Sequence, residues 1–141
     1  MKKKNTLLLF LCLFSLWAVA QEKKPVKIAC VGNSITYGSG IKNQFQNSYP
    51  GLLSQLLGEG YDVRNFGISA RVLLNKGDHP YMHEQKFRDL LAFQPDIVTI
   101  KLGTNDSKPW NWRYGKDFKK DLTEMLDILQ ELPSKPKIYL C

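Results

Sequence analysis

The sequence predicts an α/β protein, a three-layer α/β/α sandwich around a parallel sheet with the strand order 2-1-3-4. Short apolar runs rich in β-branched residues alternate with longer segments of helical periodicity, and glycines or prolines separate them. This alternation implies parallel strands that are joined by right-handed helical crossovers. The chain has 141 residues, 43% of them hydrophobic and 23% charged, which is the composition of one globular domain.

The first 20 residues have the features of a secretory signal peptide and are left out of the fold. Three lysines at positions 2–4 form a basic start, an apolar run covers residues 7–20, and Ala-Val-Ala at 18–20 has the small-x-small form of a cleavage site. The alternative is a membrane anchor, but this run is shorter than the ~20 residues that a spanning helix needs. We therefore predict cleavage near Ala20, a secreted or periplasmic bacterial protein and no stable membrane anchor.

The first crossover is predicted from two strands and the helix between them. Val26–Val31 is β-branched and apolar and leads into a glycine, which is typical of a strand followed by a turn. After a polar, glycine-containing loop, leucines at helical spacing predict a helix over Ser48–Leu57, which two following glycines end. Tyr61–Phe66 is the second predicted strand and ends at Gly67.

The second half of the sequence repeats this pattern twice. Apolar residues at positions 87, 90 and 91 predict a helix over Glu84–Ala92, and Asp96–Leu102 is the clearest strand. Asp117–Glu131 is the clearest helix, because its apolar residues lie on one face. Two prolines precede the fourth strand, Lys137–Leu140. No covering helix follows this strand, so we expect residues 21–141 to be the N-terminal part of a domain that is truncated here.

Charge and cysteine content restrict the partners that the protein can have. Loss of the three signal-peptide lysines lowers the formal net charge from +7 to +4, and acids separate the remaining basic residues, so we expect no nucleic-acid partner. Cys30 and Cys141 end strands 1 and 4, which would hold them about 10 Å apart. A disulfide needs Cα atoms within about 7 Å, so we expect two buried free thiols. The sequence has no nucleotide-binding or metal-binding motif, and no cofactor is expected.

Candidate functional residues follow each of the first three predicted strands. Ser34 lies in Gly-Asn-Ser-Ile-Thr, Gly67 ends the second strand, and Asn105 lies in Gly-Thr-Asn-Asp. Strand 1 would lie between strands 2 and 3, so the Ser34 hydroxyl would lie between the Gly67 backbone N–H and the Asn105 amide. A hydroxyl between two hydrogen-bond donors can attack an ester carbonyl while the donors stabilise the oxyanion. Each block taken singly also fits a turn or a helix cap.

At these positions the sequence resembles the SGNH hydrolases, the family of GDSL-type lipases and esterases. Residues 27–36, 65–70 and 103–106 resemble the first three blocks of the family, and the likeness extends over residues 26–141. It implies the SGNH hydrolase fold and makes Ser34 the catalytic nucleophile and, through its own N–H, an oxyanion donor. Gly67 and Asn105 would be the other catalytic donors. Residues 105–115 also resemble bacterial secreted carbohydrate deacetylases such as sialate O-acetylesterases.

The sequence departs from the family pattern in three places. Asn33 stands where many members have Asp, and Ala70 stands where the second block often has glycine. The family takes its catalytic Asp and His from an Asp-x-x-His motif near the end of the domain, and no Asp in this sequence has a His three residues later. Loss of a triad histidine typically costs on the order of 10⁶ in turnover. We therefore expect this chain by itself to be nearly inactive.

Two other clusters have both functional and packing interpretations. His79 and His83 have the spacing of a metal pair and could substitute for the missing base, but no further ligands accompany them, so loop packing is the alternative. Trp110 and Trp112 could form an aromatic rim that stacks on a sugar, with Arg113 available to an acidic sugar's carboxylate. The alternative is that they pack their loop against the following helix.

Taken together, the sequence predicts an exported serine esterase that hydrolyses an acyl ester, in the simplest case an acetyl ester, on a carbohydrate. Its partner would be a small-molecule or glycan ester substrate. The alternative is a catalytically inactive sugar-binding or structural remnant of the same scaffold.

Overall fold

The computed structural model describes residues 24–141, so the predicted signal peptide and its cleavage site near Ala20 lie outside the described residues. The four strands are β1 (Val26–Gly32), β2 (Tyr61–Gly67), β3 (Ile97–Lys101) and β4 (Lys137–Leu140). They form one parallel sheet in the order β2-β1-β3-β4. This confirms the predicted strand order, and each strand begins and ends within one residue of its predicted bounds.

In the described part of the chain the helices comprise three longer elements and three single turns. In chain order they are α1 (Ser34–Tyr37), α2 (Gln44–Asn47), α3 (Tyr49–Leu57), α4 (Gln85–Phe93), α5 (Pro109–Trp112) and α6 (Phe118–Gln130). Short 3₁₀ turns cover Tyr81–His83 and Gly115–Asp117. The three longer helices agree with the predictions to within one residue. The single turns α1, α2 and α5 were not predicted, because four residues are too few to show a helical period.

The sheet is covered by helices on both faces. The main core lies between the sheet and the helices α4 and α6, where Val31, Phe66 and Ile100 pack with Leu90 and Met125. Side chains alternate along a strand, so residue 99 lies on the opposite face of β3 from residue 100. There the Thr99 hydroxyl lies 2.9 Å from the Tyr49 hydroxyl of α3. The three layers confirm the predicted α/β/α sandwich.

The two cysteines among residues 24–141 are free, as predicted, but only one is buried. Cys30 is fully buried in β1, and desolvation raises the pKa of its thiol. Cys141 is exposed, so the prediction of a second buried thiol was wrong. The reason is that β4 is an edge strand, and Tyr139 and Leu140 beside it are also more than half exposed. No helix within residues 24–141 has the length and apolarity that crossing a bilayer requires.

Candidate active site

The ends of β1, β2 and β3 meet at one edge of the sheet. Gly32 at the end of β1 is in register with Gly67 at the end of β2 and with Lys101 at the end of β3. The Ile68 N–H continues the pairing past the strands by donating to the Gly32 carbonyl over 3.0 Å. The three loops that carry the predicted residues therefore start side by side, as the strand order requires.

Ser34 is the first residue of α1, directly after β1. The residue that caps this helix is Asn33, whose Oδ1 accepts a hydrogen bond from the Ile35 N–H over 3.1 Å. Ser34 is half-buried, and within the described residues its hydroxyl makes no hydrogen bond. Its backbone N–H lies in the first helical turn, where no intrahelical acceptor exists. Capping is thus done by Asn33, and the Ser34 hydroxyl and N–H remain available to a ligand.

Asn105 lies on the loop after β3 and faces the loop after β2. Its side chain is 9% exposed, and one of its two amide hydrogens is donated to the Arg71 carbonyl over 3.1 Å. The Asn111 amide fixes the backbone of this residue by donating to the Asn105 carbonyl over 3.0 Å. The second Nδ2 hydrogen of Asn105 has no acceptor among the described residues.

Gly67 lies at the same edge, but its backbone N–H is already engaged. It donates to the Asn65 Oδ1 over 2.9 Å, while the Asn65 amide donates to the Thr36 carbonyl over 3.0 Å. The glycine is required here by close packing, because a Cβ would overlap the backbone nitrogen of Tyr37 in α1. An oxyanion could bind to the Gly67 N–H only after the bond to Asn65 had opened.

Ala70, three residues further along the same loop, has an N–H donor that the sequence analysis did not consider. It is exposed, and its backbone is left-handed, with φ of 67°. Among residues 24–141 no acceptor binds its N–H. A 2.6 Å bond between Ser39 and Ser69 ties this loop to the chain after α1, and Arg71 accepts the Asn105 amide. The sequence feature that pointed to this position is an alanine where the second block of the family often has glycine, the residue that most readily adopts a left-handed backbone.

The left-handed backbone at residue 70 leads to a stability prediction. Replacing Ala70 by glycine is expected to raise the free energy of unfolding by about 0.5–1 kcal/mol. The reason is that a left-handed non-glycine residue costs roughly 1–2 kcal/mol, which exceeds the extra entropy that glycine loses on folding. Urea denaturation measures the change. The matched control is Ala92→Gly in the exposed face of α4, which should lower stability by about 1 kcal/mol. A loss of stability in both variants would contradict the assignment.

Asp106, the last residue of the Gly-Thr-Asn-Asp block, connects the two loops. The side chain is fully buried, and its oxygens accept the Leu73 N–H over 2.9 and 3.1 Å and the Leu74 N–H over 2.8 Å. A carboxylate that accepts backbone N–H groups makes strong hydrogen bonds in a buried setting. Asp106 therefore fixes the loop after β2 relative to the loop that carries Asn105.

The tryptophan loop is tied to the same region. Asp78 accepts Trp110 Nε1–H and Asn111 Nδ2–H, each over 3.1 Å. Burial raises the pKa of the Asp78 carboxyl, but these two donors, together with the charge and the backbone N–H of His79, outweigh that effect and hold the pKa below its usual value. Trp112 packs on Phe118 with ring centroids 6.0 Å apart, as the packing interpretation predicts. Both indoles are nevertheless 54% exposed, so their outer faces remain open to a ligand.

The remaining candidates are not brought to this site by any observed contact. His79 and His83 are exposed, and within the described residues neither imidazole is hydrogen-bonded to Ser34. No group of three or more His, Cys, Asp or Glu side chains in residues 24–141 is arranged to hold a metal ion. Arg113 stacks on the neighbouring Tyr114 ring, with its guanidinium carbon 4.7 Å from the centroid.

Comparison with known sequences relates the chain to ester hydrolases. The family model of GDSL-like lipases and acylhydrolases matches residues 30–141. A relative described as an acetylxylan esterase of Xylanibacter ruminicola is 48% identical over 139 residues, an alignment that covers 86% of this chain and 29% of that protein. The chain therefore spans less than a third of the length of this relative.

Solved structures of esterases share the fold. The inhibitor-bound aryl esterase of M. smegmatis is 23% identical with a TM-score of 0.66, and the match covers 82% of this chain and 62% of that one. A carbohydrate acetylesterase from Sinorhizobium meliloti is 22% identical with a TM-score of 0.63, again covering 82% and 62%. The chain spans about three fifths of the length of either structure.

Proposed function

The chain belongs to the GDSL-like lipase/acylhydrolase family, and from that premise we propose that its protein is a serine esterase that removes acetyl groups from a carbohydrate. The observation that carries the proposal is that the loops bearing Ser34 and Asn105 start side by side at one edge of the sheet, from the paired strand ends Gly32 and Lys101. The acetyl and carbohydrate parts are supported by the acetylxylan esterase relative.

The proposed reaction uses Ser34 as nucleophile. Its Oγ attacks the acetyl carbonyl, the hydroxyl proton passes to a base, and the tetrahedral oxyanion accepts hydrogen bonds from the Ser34 N–H and the Asn105 Nδ2–H. Collapse breaks the bond to the sugar oxygen, which takes the proton back from the base and leaves as a free hydroxyl group on the sugar. Water then attacks the acetyl–serine ester and releases acetate and free Ser34. A third donor is Gly67, as the family resemblance implies, or Ala70, whose N–H is open.

We propose that the base comes from a part of the protein beyond residue 141. No Asp in this sequence has a His three residues later, and the solved esterases are longer than the matched part of this chain. The apolar side chains exposed on β4 are consistent with further structure beside that strand. On this proposal residues 21–141 are the N-terminal part of an esterase domain, exported after cleavage near Ala20.

The direct test of the proposed function is acetate release from acetylated xylan by the full-length protein. Hydrolysis of p-nitrophenyl acetate is measured in parallel, because it reports the catalytic step without demands on the sugar. Release of acetate from both substrates supports the proposal. Binding of xylan without release of acetate from either would instead support the sugar-binding remnant.

Asn105→Ala is expected to lower kcat by about 10²–10³-fold, the typical effect of removing one oxyanion donor. The matched control is Asn47→Ala, because Asn47 is an exposed residue whose amide also donates to a backbone carbonyl, that of Lys42. The control should leave kcat unchanged. Steady-state kinetics on p-nitrophenyl acetate, with folding checked by circular dichroism, make the comparison. Equal kcat values for both variants would exclude Asn105 as a donor.

A further inference from the structure

A groove of about 840 Å³ runs along the outer edge of β2. It lies between that strand and the helices α2 and α3, and its volume is in the range of typical ligand sites, roughly 300–1,000 Å³. Phe45 of α2, Gln55 of α3 and the stretch 62–65 of β2 are among its lining residues. The groove includes neither Ser34 nor Asn105, so it is a separate feature of the surface.

The groove starts close to the candidate nucleophile. Tyr37 lines it and ends the single-turn helix α1 that Ser34 begins, so three residue steps, or roughly 4.5 Å of helical rise, separate the two positions along the axis. From Asn65 to Asp62 the groove follows β2 for three residue steps, or about 10 Å. A chain that presents an ester to Ser34 could therefore continue into the groove.

The polar side chains of the groove suit hydroxyl groups. Gln44 Nε2 donates to the Tyr37 carbonyl, and Gln55 Nε2 donates to the Gln46 carbonyl over 2.8 Å. Each amide is thus held in place while its Oε1 and second N–H remain, and together these can accept from and donate to a sugar hydroxyl. Pre-positioned amides also lose little entropy when a ligand binds.

The charges of the groove favour a neutral ligand. Asp62 and Arg64 are paired with each other over 2.8 Å, and Lys86 is the one lining charge that forms no ion pair with another residue in the range 24–141. The Phe45 ring is 90% exposed and Tyr37 is 40% exposed, so two aromatic surfaces face solvent beside the amides. Exposed rings flanked by amides match the C–H faces and hydroxyl edges of sugar rings.

From these observations we propose that the β2 groove binds the backbone of a neutral, hydroxyl-rich polysaccharide while an acetylated unit of the same polymer lies at Ser34. The inference rests on the proposed function for the placement of the ester. The choice of a polysaccharide rests on the groove itself, whose amides suit hydroxyl groups and whose exposed rings suit the faces of sugar rings.

Binding is tested apart from catalysis by affinity electrophoresis of the full-length Ser34→Ala variant in gels that contain soluble xylan. Adding Phe45→Ala should weaken retardation about five- to tenfold, the typical value of one aromatic contact. The matched control is Leu56→Ala, because Leu56 is 84% exposed on α3 and does not line the groove. The proposal is overturned if the Phe45→Ala variant is retarded as strongly as the parent protein. It is also overturned if xylan does not retard the parent protein at all. If xylan does not retard the parent protein, the alternative ligand is an extended peptide that pairs with the exposed edge of β2.

Kinetics on the protein with Ser34 intact provide the second measurement. Phe45→Ala should raise KM for acetylated xylan about five- to tenfold with kcat maintained, so the preference for the polymer over p-nitrophenyl acetate falls by the same factor. An equal loss on both substrates would assign Phe45 to the catalytic centre and overturn the groove. If the wild-type protein had no esterase activity but Phe45→Ala still weakened its retardation by xylan, the groove would be supported and the proposed function refuted.

Discussion

Ser34→Ala is expected to reduce turnover of p-nitrophenyl acetate by the full-length protein by about 10⁶-fold, the typical cost of losing a serine nucleophile. The structure leaves the Ser34 hydroxyl without a hydrogen bond inside the described residues, and Asn33 caps α1. The alanine variant should therefore fold normally and bind substrate. Steady-state kinetics and acetate release measure the loss.

The control for this variant is Thr123→Ala, which removes an exposed hydroxyl from α6. Its turnover should equal that of the wild type. If the Ser34→Ala protein kept a tenth or more of wild-type turnover, the nucleophile would have to be another group. If the wild type and the Ser34→Ala variant were both inactive and both still bound xylan, the sugar-binding remnant would be favoured.

Asp106→Ala is expected to lower the free energy of unfolding by about 3–5 kcal/mol. Two backbone N–H groups, those of Leu73 and Leu74, would lose a buried charged acceptor, and unsatisfied buried donors cost about 1–3 kcal/mol each in addition to the lost bonds. This is a large share of the stability of an ordinary domain. Chemical denaturation followed by circular dichroism measures it.

Asp127→Ala serves as the matched control, because Asp127 is exposed on α6 and its carboxylate makes no hydrogen bond within residues 24–141. It should change stability by less than about 0.5 kcal/mol. Asp106→Asn keeps the shape but replaces one acceptor oxygen with a donor, so an intermediate loss is expected. Equal stability of the Asp106→Ala and Asp127→Ala variants would show that the loop after β2 does not depend on this carboxylate.

Local periodicity made most of the fold predictable. The strands and longer helices each carry an apolar pattern that repeats over their own length, so their bounds could be predicted to within one residue. The predicted strand order is that of a doubly wound parallel sheet, in which strand 1 lies between strands 2 and 3. The three loops with Ser34, Gly67 and Asn105 could be placed at one edge of the sheet for the same reason.

The hydrogen-bond partners at that edge were decided by tertiary structure. Asp106 binds backbone groups more than 30 residues away in the sequence, and the occupied N–H of Gly67 and the open N–H of Ala70 depend on how the loops pack. The exposure of Cys141 likewise follows from the position of β4 at the sheet edge. Local sequence periodicity was enough to predict the four strands and the three longer helices, because that information is contained within each segment. The tertiary structure alone decided which donors remain open to a ligand, because that depends on groups distant in the chain.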